Sequence, residues 1–212
     1  MISVESIQCQ LPTQGSRKHG TCSPNTGACS ARPTRCGLAF TRATLYALRD
    51  SGEIEQVARG LYRLSTAPPL SNPDLVPIAI RIPRAVVCLI SALAHHRLTT
   101  RVPHAVDIAL PSHAQAPKMD NVPIRVFWYP EGSFRAGVEV VEIDDVPVRV
   151  YSAEKTIADC FKYRNKIGLD VALEALRAYR ERTKKPNRQA LTKFAQINRV
   201  EKIMRPYLEA IL

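Results

Sequence analysis

The stretch "VEVVEIDDVPVRVYSAEKTIADCFKYRNKIGLDVALEALR", Val138 to Arg177, decides the fold class. It opens with two β-branched-rich runs, Val138–Ile143 and Val146–Tyr151, which are separated only by Asp144-Asp145. Such a pair of runs around a short polar turn predicts a β-hairpin. After Ser152 the apolar residues take up helical spacing, so the hairpin leads directly into a helix.

The pattern extends outward on both sides of this stretch. Downstream, helices are expected over 153–166, 171–183, 188–198 and 200–212, with breaks at Gly168, Pro186 and Pro206. Upstream, we expect an apolar helix in "AVVCLISALAHHRL" and strands at Val106–Leu110 and Ile124–Tyr129. Strands followed by a run of helices predict an α+β domain with a mixed or antiparallel sheet, not a doubly wound sheet.

A second pattern precedes this domain, in "FTRATLYALRDSGEIEQVARGLYRL". Thr41 is a candidate N-cap, Phe40 and Leu45 can form a hydrophobic staple, and Gly52 can end the helix. Strands are then expected at Ile54–Val57 and Leu61–Leu64, with Gly60 in the turn. A short helix followed at once by a hairpin is typical of the second half of a winged helix-turn-helix, so we expect a partial one.

These patterns divide the chain into four segments. Residues 1–36 lack any apolar period and are expected to be a disordered tail. The winged helix-turn-helix covers 37–66, a Pro- and Ser-rich linker covers 67–77, and the α+β domain covers 78–212. An alternative for the tail is a zinc site made by Cys22, Cys29, Cys36 and His19, although zinc ligands are usually spaced as close pairs.

Composition narrows the class of partner. The net charge is +11, and residues 151–212 carry fourteen basic and seven acidic side chains. This balance favours phosphate-bearing partners. The longest apolar run, "AVVCLISALA", is too short to span a bilayer, so we expect no membrane contact. The six cysteines are expected to be reduced thiols, and the location to be cytoplasmic.

No catalytic constellation is predicted. The histidines lack metal-ligand spacing, and the chain has neither a glycine-rich phosphate loop nor a convincing nucleophile arrangement. Asp107 with Glu139 or Glu142 is the one candidate for a nuclease carboxylate cluster, but no strand supplies the E-x-K that would complete it. We therefore expect no enzyme activity, no metal and no cofactor.

The helix after Ser152 has two predicted faces. Ile157, Cys160 and Phe161 lie on the packed face. The opposite face is expected to be a polar, exposed stripe that consists of Lys155, Asp159, Lys162 and Lys166. Such a stripe is either an ordinary solvated surface or a site for an acidic partner or RNA.

"TLYALRDSGEIEQVARGLYRL", "YSAEKTIADCFKYRNKIGLDVALEALR" and "MRPYLEAIL" together resemble the AbiEi antitoxins of type IV toxin-antitoxin systems, which act in abortive infection. The resemblance covers most of residues 38–212. It implies an autorepressor whose winged helix binds inverted repeats in its own promoter. It also implies a C-terminal domain that neutralises a nucleotidyltransferase-like toxin without forming a stable complex.

The resemblance places the recognition helix at Thr41–Arg49 and the wing at Ile54–Leu64. The predicted DNA-binding residues are Thr41, Arg42, Tyr46, Arg49, Arg59 and Arg63. The predicted antitoxin surface is the stripe of Lys155, Asp159, Lys162 and Lys166. The family usually has one or two regular helices before the recognition helix, where this chain has residues 1–36. A second hypothesis is a winged-helix regulator with a ligand- or partner-binding C-terminal domain and no toxin.

Overall fold

The computed structural model describes residues 42–58, 61–67, 69–119 and 122–212. The chain forms two compact units that part between Pro69 and Leu70, inside the predicted linker. The predicted tail at 1–36 and its candidate zinc ligands lie outside the described residues.

The first unit contains the helix and hairpin that its sequence predicts. Helix α1 spans Arg42–Asp50, and strands β1, Ile54–Ala58, and β2, Leu61–Leu64, pair antiparallel. Gly52 ends the helix at φ +78°, where its N–H donates to the carbonyl of Arg49 at 3.0 Å. The N–H of Glu53 donates to the carbonyl of Leu48, which completes a Schellman cap.

The second unit alternates helices and strands before it ends in helices. Its elements in chain order are α2 Leu75–Arg81, β3 Val86–Val87, α3 Leu89–His95, β4 Val106–Pro111, β5 Ile124–Tyr129, α4 Glu131–Arg135, β6 Val138–Ile143, β7 Val146–Tyr151, α5 Ala153–Lys162, α6 Arg164–Ile167, α7 Leu169–Arg182, α8 Arg188–Ile197 and α9 Glu201–Ile211. The longest of these, α7, has 14 residues, so none of the helices in the described residues can cross a bilayer.

The strands form one mixed sheet in the order β5-β4-β3-β7-β6. Pairs β4/β5 and β3/β7 are parallel, and pairs β3/β4 and β6/β7 are antiparallel. One apolar core includes Phe127 of β5 and Phe161 of α5, together with buried residues of the other C-terminal helices. A second core unites Ile108 and Val150 with Ile78 of α2. The predicted α+β class with a mixed sheet and a C-terminal helical run is confirmed.

Several local predictions need correction. Pro206, expected to break the last helix, lies inside α9, and the expected helix over 153–166 is divided at Tyr163 into α5 and α6. The expected single helix in "AVVCLISALAHHRL" is a short strand, Val86–Val87, followed by a helix from Leu89. Periodicity cannot distinguish a buried strand from a buried helix in a short apolar run. Here the first two valines form β3, the central strand of the sheet. Part of the predicted linker, Leu75–Pro77, is buried helix, since α2 packs on β7.

Candidate functional site

The predicted exposed stripe on α5 is wrong for two of its four residues. Lys155 and Asp159 are fully buried, and Lys155 Nζ donates to Asp159 Oδ1 in an ion pair one helical turn apart. Helix α5 packs against α3, α7, α8 and α9, so the polar side of the helix is covered as well as the apolar side. Neither residue can touch a partner on the surface.

The buried ion pair extends into a hydrogen-bond network. Asn198, in the turn after α8, donates from Nδ2 to Asp159 Oδ1 at 2.6 Å. Its Oδ1 accepts from Ser133 Oγ at 2.7 Å, which connects α5 to α4. Burial raises the pKa of Asp159, whereas the charge of Lys155 opposes that rise. The network binds three distant parts of the second unit to one another.

Aromatic rings and a glycine complete the surroundings of Lys155. Its ammonium lies 4.6 Å from the ring centre of Tyr151 and 5.1 Å from that of Tyr129, within range of cation–π attraction. Gly137 has φ +68°, and a Cβ there would lie 2.8 Å from Lys155 Cβ. A glycine after α4 is therefore required both by its backbone conformation and by the close approach of the lysine.

The other two lysines of the predicted stripe reach the surface. Lys162 is half-buried and Lys166 is exposed. Lys162 Nζ lies 5.4 Å from the ring centre of Tyr129 and 5.8 Å from that of Tyr163. Burial lowers the pKa of Lys162, and the charges of Lys155 and Arg199 act in the same direction, against that of Asp159.

A third cation, missed in the sequence, lies beside them. Arg125 on β5 bonds Asp107 on β4 through Nε at 2.6 Å and through one terminal nitrogen at 2.9 Å. Its guanidinium carbon lies 5.8 Å from the ring centre of Phe127, and Lys166 Nζ lies at the same distance from that ring. We call Arg125, Lys162 and Lys166, with the rings of Phe127 and Tyr163, the cationic strip.

Arg125 also lines an open cleft of about 600 Å³. Arg101 and His104 also line the cleft, and the guanidinium of Arg101 bonds Asp170. The remaining lining is largely apolar and comes from Ile90, Val102, Pro103 and Ala105. Such a lining suits a small ligand with an anionic group and an apolar part.

The candidate nuclease cluster does not form. Asp107 lies on β4, whereas Glu139 and Glu142 lie on β6, with β3 and β7 between them. Asp107 forms an ion pair with Arg125 and accepts a hydrogen bond from the backbone N–H of Ile90 at 3.1 Å. Within the described residues, no three His, Cys, Asp or Glu side chains gather into a metal-binding group.

The predicted DNA-binding residues fall partly within the described residues. Tyr46 is 47% exposed on α1, and the guanidinium carbon of Arg49 lies 5.0 Å from its ring centre. Arg49 also bonds the neighbouring Asp50 at 2.8 Å. Arg42 begins α1 and Arg63 belongs to β2. Thr41 and Arg59 lie outside the described residues.

Comparison of the chain with protein-family models and with curated proteins gives no match.

Proposed function

We propose that this protein is a cytoplasmic type IV antitoxin that represses its own promoter and neutralises a nucleotidyltransferase-like toxin. The observation that carries the proposal is the order of elements in the first unit. A short helix with exposed Tyr46 and Arg49 runs directly into an antiparallel hairpin. This order is that of a recognition helix and a wing, in a unit separate from the α+β unit.

The chemistry of that helix supports the proposed DNA binding. Tyr46 offers a hydroxyl to a phosphate, and Arg49 can bond a phosphate or the edge of a guanine. Asp50 holds the guanidinium of Arg49 through one of its carboxylate oxygens, so donors remain for DNA. The expected operator is an inverted repeat in the protein's own promoter.

The second unit supports the antitoxin half of the proposal in two ways. It is compact by itself, as a domain with a separate activity requires. It also presents Arg125, Lys162 and Lys166 on one surface, which is suited to anions. These features accord with a domain that opposes an RNA-modifying toxin while the first unit acts on the promoter.

The DNA half is tested by operator binding of an Arg49→Ala variant. The loss of one base contact should weaken binding by about 1 to 3 kcal/mol, whereas the loss of one phosphate contact should reduce the salt slope by about 0.9. Arg180→Ala on α7 removes an exposed arginine from the second unit and is the matched control. Equal operator affinity of both variants and the wild type would exclude α1 as a reading helix.

The antitoxin half is tested by growth. If a gene beside that of this chain encodes a nucleotidyltransferase-like protein, cells that express that protein should stop growing, and co-expression of the wild-type chain should restore growth. The Arg49→Ala variant should restore growth equally when it is expressed from an unrelated promoter. Persistent arrest with well-expressed wild-type protein would contradict antitoxin activity.

A second candidate function is favoured by the cleft beside Arg125. A winged-helix regulator without a toxin would need a small-molecule site in its second unit, and this cleft has the size of one. Release of operator DNA on addition of an anionic metabolite, together with no effect on toxin-arrested growth, would favour that reading.

A further inference from the structure

The cations of the cationic strip are connected through shared aromatic rings. Arg125 and Lys166 share the ring of Phe127, and Lys166 and Lys162 share the ring of Tyr163, each at 5.8 Å from the ring centre. Because two neighbouring cations each lie 5.8 Å from one ring centre, the distance between them is no more than twice 5.8 Å. The strip crosses from β5, an edge strand of the sheet, to the end of α5 and to α6.

Two of these cations lack a neutralising partner. Among the described residues, neither Lys162 nor Lys166 lies within ion-pair distance of a carboxylate, unlike the surface arginines Arg101 and Arg135. Lys155 and Arg199 add positive potential near Lys162, and the buried Asp159 offsets part of it. Lys162 and Lys166 thus carry positive charge that no ion pair in the described residues neutralises, and this charge attracts an anionic ligand.

The rings fix the position of this charge. Tyr163 donates its hydroxyl to the carbonyl of Trp128 at 3.1 Å, and its ring meets Phe127 edge-on at 5.2 Å. The half-buried ring of Tyr163 thus has two ammonium groups, those of Lys162 and Lys166, each 5.8 Å from its centre. Proteins combine cations with aromatic rings in this way to hold a single-stranded nucleic acid.

We propose that the cationic strip binds the phosphodiester backbone of single-stranded RNA. A polynucleotide brings one negative charge per nucleotide in regular succession, which suits successive cations that share rings, whereas the carboxylates of an acidic protein are arranged by its own fold. The choice of RNA over DNA rests on the proposed antitoxin function, since a nucleotidyltransferase-like toxin would act on RNA. The second unit would then occupy the RNA on which the toxin works.

The test measures binding of a fluorescent twelve-nucleotide single-stranded RNA to the full chain at several salt concentrations. Lys162→Gln with Lys166→Gln should remove two phosphate contacts. At about 0.7 counterions per contact, the salt slope should fall by about 1.4 and affinity at 0.1 M salt should fall roughly 25-fold. Lys166→Gln alone changes only an exposed side chain, and it should lower affinity about fivefold by the same relation.

Lys184→Gln with Lys185→Gln is the matched control, because it removes two exposed lysines from the turn between α7 and α8. RNA affinity should be unchanged in this variant. The proposal is overturned if the strip variant binds RNA as the wild type does, or if the control loses as much. It is also overturned if polyglutamate competes as well as RNA, or if operator DNA affinity falls in step with RNA affinity.

RNA binding and growth rescue, measured on the same proteins, separate this inference from the proposed function. Wild-type chain that binds RNA through the strip but never restores growth against the toxin would contradict the antitoxin activity and leave the strip as an RNA site. Wild-type chain that restores growth without measurable RNA binding would contradict the strip alone.

Discussion

Lys155 and Lys162 lie two turns apart in one helix and share the ring of Tyr129, yet their burial and their partners differ. Lys155 is fully buried, paired with Asp159 and enclosed by Tyr129 and Tyr151. Lys162 is half-exposed, and its ammonium lies near the ring of Tyr163 without an ion-pair partner in the described residues. One lysine holds the domain together, while the other is available to a ligand.

The difference shows what decides the role of a charged residue on an amphipathic helix. Helix α8 and the turn after it cover the first two turns of the polar face, where Asn198 bonds Asp159. A buried charge is tolerated only with partners of this kind, since desolvation of an unpaired ion costs several kcal/mol. The role of each lysine is set by what lies opposite it, and not by its spacing along the helix.

The largest expected effect follows from breaking the buried pair. Lys155→Met keeps the length of the side chain but leaves the Asp159 carboxylate buried without its counter-ion. We expect a loss of about 3 to 5 kcal/mol in the free energy of unfolding, measured by urea denaturation. Lys155→Met combined with Asp159→Leu removes both charges and should regain most of that loss.

Lys162→Met is the matched control for this comparison. Its side chain is half-exposed, so the free energy of unfolding should change by less than about 0.5 kcal/mol. If Lys155→Met and Lys162→Met proved equally stable, the buried pair would have no special part in the fold.

A smaller effect is expected where the backbone passes Lys155. Gly137→Ala places a methyl group 2.8 Å from Lys155 Cβ and 3.0 Å from Phe194 Cζ, at a φ of +68°. Strain and overpacking together should cost about 2 to 4 kcal/mol in thermal or urea unfolding. In Gly132→Ala, where a Cβ meets nothing within 4 Å, no such loss should occur. Equal stability of the two variants would mean that the backbone near Lys155 can move aside.

The smallest effect concerns the pH dependence of stability. Burial lowers the pKa of Lys162 from its usual 10.5, so the folded state releases this proton before the unfolded state does. The contribution of Lys162 to stability is therefore present above pH 10.5 and is lost as pH falls through the lowered pKa. Across that alkaline window only, the unfolding free energy of the wild type should rise with pH relative to that of Lys162→Gln. A parallel pair of curves there would contradict the shift.

Strands with local alternation were predicted well, and those that depend on distant partners were not. The predicted bounds of Ile124–Tyr129, Val138–Ile143 and Val146–Tyr151 agree with the structure. The two-residue strand Val86–Val87 exists only because β4 and β7 flank it. At the site, the cationic character of Lys162 and Lys166 was predictable, whereas the addition of Arg125 required the pairing of β4 with β5.

The sequence by itself determined the hairpin of Val138–Ile143 and Val146–Tyr151, the C-terminal helical run and the cap at Gly52, because each depends on residues close to one another in the chain. Only the tertiary structure decided that Lys155 and Asp159 are buried and that Asp107 forms an ion pair with Arg125. Asn198 lies 39 residues beyond Asp159 in the chain, and no periodicity reports such a contact. Burial is a property of the surfaces that meet, so a polar pattern identifies a face of α5 without showing whether water or protein covers it.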